Sequence, residues 1–224
     1  MISNSHNPAS GRKEHWEQIY SDKKPTDVVW YQLHPEHSLA LIEACAVGSG
    51  ARIIDVGGGA STLVDHLLAA GYRHISVLDI SHNAIERAQA RLGSQAKAVT
   101  WIEQDVIGSP PGHGYDIWHD RAVFHFLTRP DERARYIANL KQALRPGGQA
   151  IIATFAEDGP SECSGLEVAR YSPESLSNTL GETLRLVETR QEEHHTPHGG
   201  VQRFIYCRFS HLNTGTAAAE DQGH

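Results

Sequence analysis

IIDVGGGAST, residues 53–62, sets three glycines in a row directly behind an apolar run, with the carboxylate of Asp55 two positions ahead of the first. Ile53, Ile54 and Val56 read as a buried strand that must stop where the glycines begin. A single glycine makes a turn. Three at the mouth of a strand mark main chain that a ligand approaches closely, because a Cβ there would hold it off. A nucleotide-type cradle is therefore expected at Gly57, Gly58 and Gly59.

Outward from this point, strands and helices alternate. Residues 51–57, 74–80, 99–105 and 149–156 read as strands, and 115–124 begins as one. Helical spacing covers 37–47, ending at Gly48, then 61–71, with Ser61 or Thr62 as cap, and 82–92, with Ser81 as cap and Gly93 as stop. A charged amphipathic helix runs from 129 and breaks at Pro146-Gly147-Gly148, and a short capped helix follows in SPESLSNTLG. Residues 184–209 read as two long strands joined by a turn near Pro197–Gly200. The pattern predicts a doubly wound α/β domain with a mostly parallel sheet, helices on both faces and a final hairpin. In such sheets the ligand lies beyond the carboxyl ends of the strands. That rule gathers 55–61, Asp79, Asp105, 118–125 and 156–166 on one rim.

The totals narrow the class. The 224 residues are 39% hydrophobic, enough for one domain with a full core. With 27 acidic against 20 basic residues the formal charge is −7, so neither nucleic acid nor a membrane surface is the expected partner. Cys45, Cys163 and Cys207 are odd in number and widely spaced, which fits a reducing compartment. No apolar run reaches the ~18 residues of a membrane span. The opening stretch also lacks the apolar centre of a secretion signal, and a cytoplasmic protein is expected. Residues 1 to about 13 and the tail from 211 to 224 read as polar and mobile.

Two readings of the glycines compete. A dinucleotide fingerprint requires G-x-G-x-x-G, and here Thr62 stands at the third glycine. The other pattern is an acid followed by alternate glycines, which Asp55-Val56-Gly57-Gly58-Gly59-Ala60-Ser61 fits, with serine in the last place. Asp79 ends the next strand about 20 residues on, where a carboxylate takes the hydroxyls of a ribose. Asp105 ends the third, where it can accept from an adenine amine while Val106 offers its N–H.

With DVGGGAS, VLDIS and EQDV followed by LRPGGQAIIATF, the chain resembles the class I S-adenosylmethionine-dependent methyltransferases, in their methyltransferase-like, type 11–12 domain group. The resemblance spans roughly residues 45–210 and rests on four motifs in order. It implies a Rossmann-like seven-stranded sheet whose terminal strand is antiparallel. It also implies S-adenosylmethionine as cofactor, with Gly57, Gly58 and Gly59 at the methionyl end, Asp79 and neighbouring Ile80 at the ribose, Asp105 and Val106 at the adenine, and Asp55 fixing the loop or meeting the amino group.

The cofactor's sulfonium methyl is already activated, so the protein must chiefly align a nucleophile and exclude water. YDIWHDRAVFHFLT sits where the family flanks the transferred methyl. Asp120 is a candidate for orienting a substrate amine or pairing with Arg121, and His119 and His125 for taking a proton. Asp120-Arg121-Ala122 partly matches an Asp-Lys-Gly segment of methyltransferase-like lysine methyltransferases, which keeps protein lysine methylation as an alternative to a small-molecule N, O or S acceptor. Residues 1–45 read as a helical, aromatic lid ahead of a cofactor-binding domain at 46–210. Trp16 and Tyr20 then cover the cofactor, and Trp30 and Tyr31 line the acceptor side. Cys163, His194 and His195 approach the same rim as candidate acceptor contacts. Adjacent histidines on a strand face opposite ways, so no metal site is expected there. A non-catalytic cofactor-binding module and, more distantly, a nicotinamide-dependent oxidoreductase are the remaining alternatives.

Overall fold

The computed structural model describes residues 8–212. Most of the stretch expected to be mobile at the start, and the tail from 213, lie outside them. Residues 8–13, in contrast, belong to helix α1 (Pro8–Asp22), whose polar outer face disguised it in the sequence. Helix α2 (Glu36–Ala44) follows, and then the alternation begins: β1 (Arg52–Val56), α3 (Leu63–Ala69), β2 (His74–Asp79), α4 (His82–Leu92), β3 (Val99–Glu103) and β4 (Tyr115–Arg121). Next come α5 (Pro130–Ala143), β5 (Leu144–Phe155), the two-residue strands β6 (Glu162–Cys163) and β7 (Leu166–Glu167), and α6 (Pro173–Leu180). The hairpin of β8 (Leu184–His195) and β9 (Val201–His211) closes the fold.

The seven-stranded sheet has the order β3-β2-β1-β4-β5-β9-β8. All pairs from β3 to β5 are parallel, whereas β9 is antiparallel to both β5 and β8. The expected Rossmann-like sheet with an antiparallel terminal strand is therefore observed, with that strand one place in from the edge.

Alternation along each strand feeds two cores. Ile54, Trp118 and Ile152 face α5 and α6, where they meet Tyr136, Leu140 and Leu176. Ile53, Ile117 and Ile151 face α2 and α3, where they meet Leu41, Leu63 and Leu67. Two caps are as expected or nearly so. Ser81 Oγ accepts from the Ala84 N–H at the start of α4. At α3 the work is split: Ser61 Oγ accepts from the Leu63 N–H, and the Thr62 hydroxyl instead donates to the Gln32 carbonyl. The third strand ends at Glu103, so Asp105 stands on the loop beyond it.

Candidate active site

At the carboxyl end of β1 the chain turns at Gly57, whose φ of +67° is a region side chains rarely adopt. A Cβ on Gly57 would collide with Val123, and one on Gly58 with the Asp55 carboxylate. One on Gly59 would stand 2.5 Å from both Ala84 Cβ and Asp79 Oδ2. All three glycines are thus required by space, and Gly57 by backbone conformation as well. Asp79 locks this loop to β2: Oδ2 accepts from the Gly59 N–H at 3.0 Å and Oδ1 from the Ser81 N–H at 2.9 Å. Burial pushes its carboxyl up to about 6, although those N–H groups pull the other way. Each oxygen keeps a lone pair for a further donor.

Two adjoining cavities open on this rim, and the space within them, open solvent included, is about 820 and 560 Å³. Both are lined by Gly57, Val56, Tyr20, Trp30 and Arg121. The larger runs from Ile80, Asp105 and Val106 past Asp79 to Phe126, Phe155, Cys163 and Phe204. The smaller holds Asp55, Gly58, Tyr31 and His119. There Asp55 Oδ1 pairs with His119 Nδ1 at 2.7 Å, and His119 Nε2 meets Ser38 Oγ at 2.9 Å. Asp55 Oδ2 is buried and has no partner among the described residues, leaving a carboxylate oxygen for a ligand's ammonium group. Bare main chain, an acid able to take two hydroxyls and an unpaired buried carboxylate oxygen together fit S-adenosylmethionine.

Helix α1 roofs this space. Trp16 packs edge-on against Phe126 at 5.1 Å and Trp30 at 5.7 Å, and Tyr20 against Trp30 at 6.2 Å. Polar ties flank the aromatics. Glu17 accepts from the Ser81 hydroxyl and from the His82 and Asn83 N–H groups, placing a carboxylate at the positive end of α4. Arg12 bridges Asp105 at 3.1 Å and Glu132, and Lys13 pairs with Glu103. Arg12 and Glu17 were not expected from the sequence. Their side chains meet partners 64 to 120 residues away, and only a helical continuation of HWEQIY toward the N-terminus would have hinted at them.

β4 separates the expected catalytic residues by simple alternation. His119 and Arg121 face the α2 side and reach the cavities, whereas Asp120 points to the opposite core. There it accepts from the Tyr136 hydroxyl at 2.5 Å and from the Val123 and Phe124 N–H groups, so it staples the turn after β4. It is fully buried and does not line the cavity, which corrects its placement beside a substrate amine. His125 is corrected likewise. It lies behind Phe155 and Phe126, and burial drives its pKa down to about 3. His194 turns inward, but its Nε2 is tied to the Val29 carbonyl at 2.8 Å, and His195 on the other face is exposed. Neither lines a cavity. Gln202 and Phe204 do, from β9, with Gln202 Oε1 buried and unpartnered among the described residues.

Arg121 is the most elaborately held of these groups. Its Nε donates to the Tyr206 hydroxyl at 2.7 Å, Nη1 to the Trp30 carbonyl at 3.1 Å, and Nη2 reaches Glu192 at 3.5 Å. Its guanidinium also lies 4.5 Å over the Phe204 ring.

No helix among the described residues is long and apolar enough to cross a membrane. Residues 54–150 match the family model described as a methyltransferase domain. The ubiquinone/menaquinone biosynthesis C-methyltransferase UbiE of Roseobacter denitrificans is 26% identical over 58% of this chain and 53% of its own, so the chain spans about half the length of that relative. A probable thiol methyltransferase 2 of Arabidopsis thaliana is 25% identical over 82% of this chain and 79% of its own. Among solved structures, the 1,6-didemethyltoxoflavin-N1-methyltransferase of Burkholderia thailandensis, crystallised with S-adenosylhomocysteine, superposes with a TM-score of 0.70 over 95% of this chain and 92% of its own, at 17% identity. By its sheet order, its glycine cradle and this domain match over residues 54–150, the chain is similar to the class I S-adenosylmethionine-dependent methyltransferases.

Proposed function

We propose that the protein transfers a methyl group from S-adenosylmethionine to a nucleophilic N, O or S atom of a small molecule. The observation that carries this reading is the roof. Trp16, Tyr20 and Trp30 close over a cavity that extends past the glycine cradle to Phe155 and Phe204, which gives a small acceptor an enclosed place beside the cofactor. A lysine on a folded protein would have to enter beneath α1, so the small-molecule reading is favoured over the lysine reading. The thiol methyltransferase likeness, which spans most of both chains, supports it further.

When bound, S-adenosylmethionine supplies a methyl group already activated by a sulfonium charge. In the proposed roles, Gly57 and Gly59 admit its methionyl portion, Asp55 Oδ2 takes its amino group, Asp79 the ribose, and Asp105 with Val106 and Ile80 the adenine. Residues 1–45 act as the lid of the domain at 46–210. The aromatic roof excludes water, and Arg121, Cys163 and Trp30 surround the acceptor, while Tyr31 lines the smaller cavity beside Asp55 and Gly58. Three free, buried cysteines accord with a cytoplasmic setting. Isothermal titration with S-adenosylhomocysteine tests the core of the reading: saturable one-to-one binding is expected, and absence of heat at ligand concentrations well above the enzyme's would overturn it.

A further inference from the structure

The sheet order sets the two ends of the larger cavity side by side. Asp79 and Gly57 stand at the ends of β2 and β1, and Arg121, Phe155 and Phe204 on β4, β5 and β9, with neighbouring strands about 4.8 Å apart. The first group belongs to the cofactor. The second is walled by Phe126, Phe155, Phe204 and Trp30. Among the described residues, Arg121 is the one charged side chain presented to that end, since Arg12, Asp79 and Asp105 lie on the cofactor side.

Arg121 uses three of its five N–H groups on Tyr206, Trp30 and Glu192, so two remain for a ligand. Glu192 balances the charge from behind. Its Oε1 takes the Gln32 amide and its Oε2 the Tyr206 hydroxyl, and it lines neither cavity. The other titratable neighbours are poor bases. Tyr206 is pushed up to about 12 by burial, and Cys163 is also raised by burial. His194 and His125 are held neutral by burial and by Arg121 itself. His125 Nδ1 faces the Phe155 N–H at 3.4 Å, which leaves the proton on Nε2. His119, on the smaller cavity that Arg121 also lines, has both ring nitrogens engaged by Asp55 and Ser38, so the acceptor end offers a cation and no free group to remove a proton.

Resting on the methyltransferase reading above, we propose that the acceptor is a flat, largely apolar molecule that reacts as an anion, a thiolate or an acidic phenolate, with its charged atom against Arg121. An ammonium would face a like charge, which disfavours its binding beside Arg121. The anion's lone pair forms the new S–CH3 or O–CH3 bond as the bond from methyl to sulfonium breaks. The broken bond's electron pair stays on the sulfonium sulfur, giving neutral S-adenosylhomocysteine, and no proton moves in the step.

The test begins with binding. 4-Nitrophenol, whose anion is coloured, is titrated with base while bound to the enzyme saturated with S-adenosylhomocysteine. Its ionisation constant is expected to rise about tenfold over that of the free phenol, to stay raised in Arg121→Lys, and to return to the free value in Arg121→Gln. Turnover with S-adenosylmethionine then separates sulfur from oxygen: thiophenol, 4-nitrophenol and benzylamine are compared, and methylation of either anion is expected to exceed that of the amine by about tenfold or more. An unshifted phenol in the wild-type complex, or faster methylation of benzylamine, would overturn the proposal while S-adenosylhomocysteine binding left the methyltransferase reading intact. Failure of S-adenosylhomocysteine to bind would remove both.

Discussion

The rim of the sheet has two halves that differ in how they are made. On the β1, β2 and β3 side the lining comes from main chain and from acids at or just past strand ends: Gly57, Gly58, Asp79, Asp105. On the β4, β5 and β9 side they come from side chains of scattered segments, with Trp16 from α1, Phe126 from the turn after β4, Cys163 from a two-residue strand and Phe204 from the hairpin. The first half leaves no freedom, because added atoms collide. The second is a wall of interchangeable apolar surface around one fixed cation. A cofactor shared across a family suits the first, and an acceptor particular to one protein suits the second.

The sharpest way to break that contrast is Gly57→Val. A β-branched residue at φ +67° is strained, and its Cβ would strike Val123. S-adenosylhomocysteine affinity should fall by roughly hundredfold or more, with thermal stability lowered by about 1–3 kcal/mol. A matched change across the rim, Phe204→Leu, should leave cofactor affinity within about threefold and alter only acceptor selectivity. Equal losses of cofactor binding in the two variants, measured by titration calorimetry, would erase the distinction.

Asp79→Ala comes next. It removes the expected charge-assisted ribose contact, about 1.5–3 kcal/mol of cofactor affinity, and also strands the Gly59 and Ser81 N–H groups, so the melting temperature should drop as well. The same group sets a pH dependence. Its folded pKa of about 6 is raised from the ordinary 3.8. Its contribution to stability is therefore complete below 3.8 and is lost as pH rises through 6. Cofactor affinity should run the other way, rising about tenfold between pH 5 and pH 7 as the carboxylate ionises and becomes a stronger acceptor. Asp79→Asn should flatten that rise, and an unchanged slope would mean that Asp79 does not meet the ribose.

The same contrast explains what could be read in advance. The sheet, the terminal hairpin and the acid at 79 were legible because each has a local cause: an apolar run, a turn residue, a strand end; Asp105 instead falls on the loop past its strand. Asp120 was misplaced for an equally local reason. Its neighbours His119 and Arg121 reach the cavities, and period-two alternation sends it to the far core, where Tyr136 receives it. His125 carries no such clue, since its burial behind Phe155 depends on how β5 and β9 pack. The roof was legible as aromatics but not in its fastening, because Arg12 and Glu17 act on residues more than 60 positions away.

That fastening yields the smallest predicted effect. Glu17 is the main polar link from α1 to the start of α4, where its carboxylate gathers the Ser81 hydroxyl and two N–H groups that would otherwise face water. Glu17→Ala should leave the sheet untouched and cost about 1 kcal/mol in the closure of α1 alone. The sign of this effect is visible in rates. Amide exchange across residues 11–22 should quicken, and S-adenosylhomocysteine should both enter and leave faster, with a net loss of affinity of about fivefold. If exchange quickens while ligand rates stay fixed, α1 is a packed helix and not a lid. Both halves of the rim would then be open without it, and the enclosure on which a small acceptor was inferred would have to come from Trp30 and Phe126 instead.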